Sequence, residues 1–399
     1  MGENEDFATS LQDSKASYVL SNVAEVIERI LTFVPTKALL RIARVCRLWR
    51  NCARRVLRSQ QLLSYVSAIG PSTTEVHVLC NILAQDVEKV FLLPKTVLAM
   101  VDCDTFHGRS YRFQQSEAKK SRHSLDTADE LSRLFPKTCD VMGITTPGVV
   151  LTPCGPSSLP QEHQEGEAGF AIMFPSMDGA HVKPFHFCKK SISPTALKEA
   201  GLLDNRDLRV VLLFVYDAYQ SGGGRFLKQI LEPLAKSKAL IAGGMVEGVF
   251  SPPRHCCSLG AYGVVGLALS GPRVQAASVL LDQDISNPKE AEATIRRLKA
   301  AKIPERNTMG FMFACVGRGR NYYNNQSNVE SAAFHKVQHE RSSHLENKQS
   351  AALKLPELSR HLVTSNISPT AAVLQQASWP TLSKWSRRVC QTWRSSLSQ

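Results

Sequence analysis

The nine residues Leu208-Arg-Val-Val-Leu-Leu-Phe-Val-Tyr216 form a nearly continuous apolar run. A strand with one wet face would alternate apolar and polar side chains, so this run predicts a strand buried on both faces. Such a strand needs a large fold around it. The chain has the means: 399 residues and a 43% hydrophobic share suffice for a real core. A 21% charged fraction is ordinary for a folded protein, and the length predicts about two or three domains.

The region around that run, roughly 75–330, reads as mixed α/β. Val76 to Val90 and a short stretch ending at Phe135-Pro136 are helix-like. Short runs of branched residues predict strands at Thr96–Val101, Val141–Thr145, Gly148–Thr152, Gly169–Phe174 and Val182–Phe187. Between them lie a basic insertion, Phe106–His123, and a Pro/Ser/Gln/Glu loop, Gly155–Gly166. A second lobe is expected to begin near Leu208. Its helices would be Gly222–Lys238 and Asn287–Lys302, the latter with Pro288 in its first turn and Pro304 past its end. Its further strands would be Ala239–Gly243, Val264–Leu269, Val274–Leu281 and Met309–Val316.

Ahead of this region, Tyr18 to about Gln61 predicts a compact helical block. Val26, Ile27, Ile30, Leu31 and Val34 recur at helical spacing, Pro35 stops that helix, and Thr36 suits the start of the next. Leu39, Ile42, Ala43, Cys46 and Trp49 continue the apolar side, opposite Arg41, Arg44, Arg47, Arg50, Arg54, Arg55 and Arg58. A block this small buries too little surface to be comfortable alone. Leu40, Val45 and Leu48 fall off the apolar stripe, so a partner is expected to cover them. Residues 1–17 read as a disordered leader and 337–399 as a largely unstructured basic tail.

Several function classes are excluded or disfavoured. No apolar run approaches the ~20 residues that span a bilayer, and Met1–Asp13 lacks a basic and apolar signal pattern. An intracellular protein is expected. The eleven cysteines are scattered, without the paired spacing of a zinc site or disulfide framework, and read as buried thiols. The net charge of +13 is concentrated in 18–60, 107–123 and 337–399, which leaves the α/β region near neutral. That argues against a dedicated nucleic-acid binder, which would interleave Lys/Arg with aromatics on one face. There is no Gly-x-Ser-x-Gly, His-Glu-x-x-His or phosphate-binding Gly-Lys-Ser/Thr motif. Ser221-Gly222-Gly223-Gly224 reads as a turn. His255-Cys256-Cys257 offers adjacent groups that one metal ion cannot grip alone. No metal or cofactor is expected.

One turn reads as a candidate ligand or substrate pocket. Phe311-Met-Phe-Ala-Cys315-Val-Gly317-Arg318-Gly319 is an apolar segment ending in Gly-Arg-Gly, which allows close backbone approach and places one guanidinium. Gly243 and Gly244 join Cys315, Gly317, Arg318 and Gly319 in this reading.

Val26–Pro35, Leu39-Leu40 and Val45-Cys46-Arg47-Leu48-Trp49 resemble an F-box, over about residues 20–60. The Leu-Pro dipeptide that usually opens the box is Asn22-Val23 here. Phe135-Pro136, residues 143–148, Pro184-Phe185-His186-Phe187, residues 201–205, Ala242-Gly243-Gly244 and residues 310–319 resemble a FIST domain. The resemblance implies an α+β chain: a three-helix F-box (18–61), a FIST N-lobe (75–205) and a FIST C-lobe (206–336). After about Lys336 it stops, and the Gly-rich closing strands of the family are missing, so a truncated C-lobe is expected.

The resemblance also implies a function. The chain would be a non-catalytic substrate receptor, its F-box docking a Skp-type adaptor and, through it, cullin and RING subunits. Pro35, Leu39, Leu40, Ile42, Val45, Cys46 and Trp49 would form the F-box core and adaptor face. The FIST lobes would bind protein substrates, nuclear regulators such as histone demethylases and transcription factors, in nucleus and cytoplasm. The alternative is a small-ligand-sensing FIST module whose occupancy gates protein binding.

Overall fold

In the computed structural model the described residues are 15–70, 76–102, 129–152, 159–164, 168–188, 192–216, 223–250, 263–303, 308–315, 318–320 and 322–337. The expectations for the leader before residue 15, the basic insertion, His255-Cys256-Cys257, Gly317 and the tail lie outside them. Residues 15–17 do not belong to an unstructured leader: they open the first helix, α1, over 15–22. Next come α2 (Ala24–Leu31), α3 (Thr36–Ile42) and α4 (Arg47–Ser59). Ile27, Leu31, Leu39, Cys52, Ala53 and Val56 form their shared core. Pro35 precedes α3 directly, as its fixed φ and missing N–H allow.

The bundle is tied to the α/β region at both of its ends. The Thr36 N–H donates to the Val90 carbonyl at 2.8 Å, and Lys37 pairs with Glu88 at 2.7 Å. Gln61, just past α4, hydrogen-bonds Asp178 in both directions.

The α/β region continues with β1 (Ser64–Ile69), α5 (Val76–Glu88), β2 (Pro94–Asp102), α6 (129–133), β3 (Asp140–Thr146), β4 (Gly148–Leu151), β5 (Gln161–Gln164), β6 (Ala168–Pro175) and β7 (His181–Cys188). Then come α7 (Pro194–Glu199), β8 (Leu208–Tyr216), α8 (Gly223–Ala235), β9 (Leu240–Met245), β10 (Gly248–Phe250), β11 (Gly263–Ser270), α9 (Pro288–Arg296) and α10 (329–337). One sheet has the order β1-β6-β2-β3-β10 and the other β7-β11-β8-β9, with β4-β5 a separate ribbon.

Strand parity builds four layers. Because successive side chains point to opposite faces, Leu98, Met100, Met142 and Ile144 of the first sheet meet Val210, Leu212, Phe214, Val265 and Leu267 of the second in one core. The opposite parity of the first sheet, Val97, Ala99, Val101 and Val141, packs on Leu79, Leu83 and Val87 of α5. On the far side, Val211, Leu213, Val215 and Val264 pack on Phe226, Leu227, Ile230 and Leu234 of α8. The order is helix, sheet, sheet, helix. The run Leu208–Tyr216 is β8, with every residue buried except Arg209.

The structure corrects the sequence reading in several places. β7 precedes residue 206 but pairs with β11 of the second sheet, while β10 lies after it and pairs with β3 of the first. A cut at 205/206 therefore does not separate the sheets, since each takes a strand across it. The 155–166 loop contains β5, paired antiparallel with β4; four polar residues carry no apolar signal. Conversely, 274–281 and the described part of 309–316 form no strand. Leu281 and Phe311 are buried, but burial alone does not supply a ladder partner. α9 gives way after Arg296 to a 3-10 turn, Arg297–Ala301. Cys188 is disulfide-bonded, against the expectation of thiols throughout. Cys52, Cys80 and Cys139 are buried thiols, and burial pushes Cys80 and Cys139 up to about 11 and about 12. No helix among the described residues is long and apolar enough to cross a membrane.

Candidate adaptor-binding surface

The bundle carries two apolar stripes on one helix. On α2, Ile27 and Leu31 are spaced i, i+4 and fill the bundle core, while Val26 and Ile30 share that spacing one position earlier and are exposed. Phe33 in the following turn, Leu40 on α3 and Val45 in the next turn are exposed too, Val45 at 69%. Isolated exposed apolar residues need no explanation, but five on two consecutive short helices and their turns make this part of the bundle a candidate contact surface.

The residues named from the sequence divide between inside and outside. Leu39 has no exposed surface and belongs to the core. Ile42 and Trp49 are half-buried against that core. The Trp49 indole N–H donates to the Leu20 carbonyl at 2.8 Å, so the ring holds α1 onto α4. Cys46 caps α4: its Sγ accepts from the Trp49 backbone N–H at 3.5 Å. Pro35 is half-buried and Leu40 and Val45 face outward. Sequence spacing missed Val26, Ile30 and Phe33 as surface groups, because two adjacent apolar stripes on one helix read as a single wide core face.

The second candidate, the Gly-Arg-Gly pocket, is engaged internally. Gly243 has φ 135°, and a Cβ there would sit 1.9 Å from the Leu213 carbonyl oxygen. It is glycine so that β9 can pair tightly with β8. Gly244 has open space around it, and Cys315 is exposed. Arg318 does not present a free guanidinium. Its Nε donates to Glu330 at 2.6 Å, Nη1 to the carbonyls of Asp282 and Gln283, and Nη2 to Ile285 and the Tyr323 hydroxyl. Those bonds occupy the five donors of the group. The guanidinium also stacks over Tyr322, 4.6 Å from its centroid. Beside it, Gly319 is half-buried.

Glu330, 3% exposed, lies on α10 and also accepts from Tyr323 at 2.6 Å. Burial, then this bond, pushes the Tyr323 phenol above its ordinary range. The next residue, Ser331, donates to Glu162 of β5 at 3.0 Å. Burial raises the Glu162 carboxyl, against the lowering effect of its bonds to Ser331 and Asn328. Arg318 thus locks α10 to the loop at 282–285, a structural role. Among the described residues no group of three His, Cys, Asp or Glu could hold a metal ion.

Comparison with known proteins matches this architecture. The F-box domain model matches residues 24–60, and the FIST N domain model matches residues 116–300. F-box only protein 22 of Pongo abelii is 47% identical over 340 residues, 83% of this chain and 84% of that protein. F-box only protein 22 of Homo sapiens is 48% identical over 333 residues, 81% of this chain and 82% of that protein. The chain belongs to the F-box only protein 22 family, with an F-box bundle set on a FIST domain.

Proposed function

We propose that the chain is the substrate-recognition subunit of a Skp–cullin–F-box ubiquitin ligase. The F-box docks a Skp-type adaptor and through it the cullin and RING subunits. The four-layer FIST domain binds protein substrates, nuclear regulators such as histone demethylases and transcription factors, in cytoplasm and nucleus. Their ubiquitination and proteasomal degradation result from proximity, because holding a target lysine near a charged conjugating enzyme raises its effective concentration. The receptor itself performs no chemistry.

One observation carries this reading. Val26, Ile30, Phe33, Leu40 and Val45 stand outside a bundle whose core is already filled by Ile27, Leu31, Leu39 and α4. They are available to a partner without any loss of internal packing. Fully burying one such side chain is worth ~1.5–3 kcal/mol, so covering several suffices for a docking interface. The small-ligand alternative finds no support at Arg318 or Gly243, whose contacts hold the fold together.

The test is calorimetry with a recombinant Skp-type adaptor. Ile30→Asp with Val45→Asp should abolish binding and leave the circular dichroism spectrum and unfolding midpoint unchanged. A well-folded wild-type chain without affinity for the adaptor would overturn the proposal.

A further inference from the structure

The face of α4 opposite its core is built from arginine. Arg47, Arg50, Arg54 and Arg58 are exposed and recur at spacings of three and four, so they lie in one stripe. Cys52, Ala53 and Val56 occupy the other side of the helix, in the core. Arg44, in the turn before α4, extends the exposed basic surface. Arg55 pairs with Glu28; among the described residues no carboxylate pairs with Arg44, Arg47, Arg50, Arg54 or Arg58. Every basic residue from 41 to 58 is arginine, whose planar fork suits carboxylates better than an ammonium does. The one aromatic ring of α4, Trp49, is turned inward to Leu20 and does not join the stripe. That disfavours single-stranded nucleic acid, which stacks its bases on such rings.

A complementary segment lies in the same chain. Residues 1–14 hold Glu3, Glu5, Asp6 and Asp13 and no Lys or Arg. The segment runs directly into α1, and α1 is bonded to α4, the helix that carries the stripe, through Leu20 and Trp49. Its length is adequate: fourteen residues reach about 45 Å when extended, and Arg47 to Arg58 spans about 16 Å of helix.

We propose that the arginine stripe of α4 is a docking surface for acidic peptide, occupied in cis by the chain's own residues 3–13. The tether supplies a high effective concentration, so pairs that are individually weak at a surface add up to partial occupancy. Salt screens them, which makes the cover adjustable. Val45 lies between Arg44 and Arg47, so the docked segment borders the apolar surface and competes with any partner that overlaps both. The inference stands on charge and tether geometry and does not depend on the adaptor reading.

The experiment uses the full chain and a fluorescein-labelled peptide of residues 1–14, read by anisotropy at 50 mM salt. A leader-neutralised chain (Glu3→Gln, Glu5→Gln, Asp6→Asn, Asp13→Asn) should bind the peptide at least fivefold more tightly than wild type, whose stripe is occupied in cis most of the time. Adding Arg47→Gln, Arg50→Gln and Arg54→Gln should weaken that binding at least tenfold with an unchanged circular dichroism spectrum. Should the triple variant misfold, raising salt to 300 mM on the leader-neutralised chain must produce the same loss. Equal peptide binding by wild-type and leader-neutralised chains would overturn the proposal, leaving the stripe to an outside partner. So would salt-insensitive binding, or an RNA 20-mer bound tightly by wild type through the arginines and unaffected by leader neutralisation.

Discussion

The helical bundle and the sandwich use the same aliphatic residues to opposite ends. In the sandwich, β8 buries eight of nine residues because layers cover both faces of its sheet. In the bundle, α2 buries Ile27 and Leu31 and leaves Val26 and Ile30 outside. The sandwich is large enough to enclose its apolar side chains, whereas four short helices have too much surface for their volume. Exposed Val or Ile therefore carries different information in the two regions. In the bundle it marks a surface free to bind; in the sandwich it would mark a missing layer.

Substitutions can break or sharpen that contrast, and the largest effect should come from the shared core. Phe214 is 1% exposed and meets Phe313 edge-on at 5.6 Å, so Phe214→Ala should cost about 3–5 kcal/mol in urea unfolding. A loss under 1 kcal/mol would mean the two sheets do not share a tightly packed interior. In the bundle, Leu39→Ala should cost about 2–4 kcal/mol and lower adaptor binding only through unfolding, which added osmolyte should reverse.

Gly243→Ala should cost about 1–3 kcal/mol from overpacking, since its Cβ would fall far inside van der Waals contact with the Leu213 oxygen. An unchanged midpoint would show that β9 can move off β8. Smallest of all, Val45→Ser should shift stability by less than about 0.5 kcal/mol while weakening the adaptor complex, the converse of Leu39→Ala.

A pH scan probes two buried thiols beside the first sheet. Burial raises the Cys80 and Cys139 thiols, so between their ordinary value near 9 and about 11 to 12 the native state holds protons that the unfolded chain releases. Stability should therefore fall as pH rises above 9. The double variant Cys80→Ala, Cys139→Ala should flatten that decline. An equally steep decline in the variant would place its origin in another group, such as the Tyr323 phenol, which burial also raises.

Local pattern and chemistry alone determined many of the elements, but neither β5 nor the lack of strands at 274–281 and 309–315. Asn287 and Pro288 opened one helix with the side-chain cap the structure shows, and unbroken Val and Leu marked β8 as buried on both faces, whereas α2 ends at Leu31, a turn short of Pro35 and without Val34. These signals are local or compositional, so no partner needs to be known. The tertiary structure alone decided which elements share a sheet: β7 and β10 cross the middle of the chain, and a strand's partner is not written in its own residues. It also decided that 274–281 and 309–315 stay unpaired despite their apolar content, because burial and hydrogen-bonded pairing are separate conditions. The same limit applied to function. Arg318 beside glycines read as a waiting cation until Glu330, distant by twelve residues, was found to hold it. The outer stripe of α2 became a surface only when Ile27 and Leu31 proved sufficient to fill the inside.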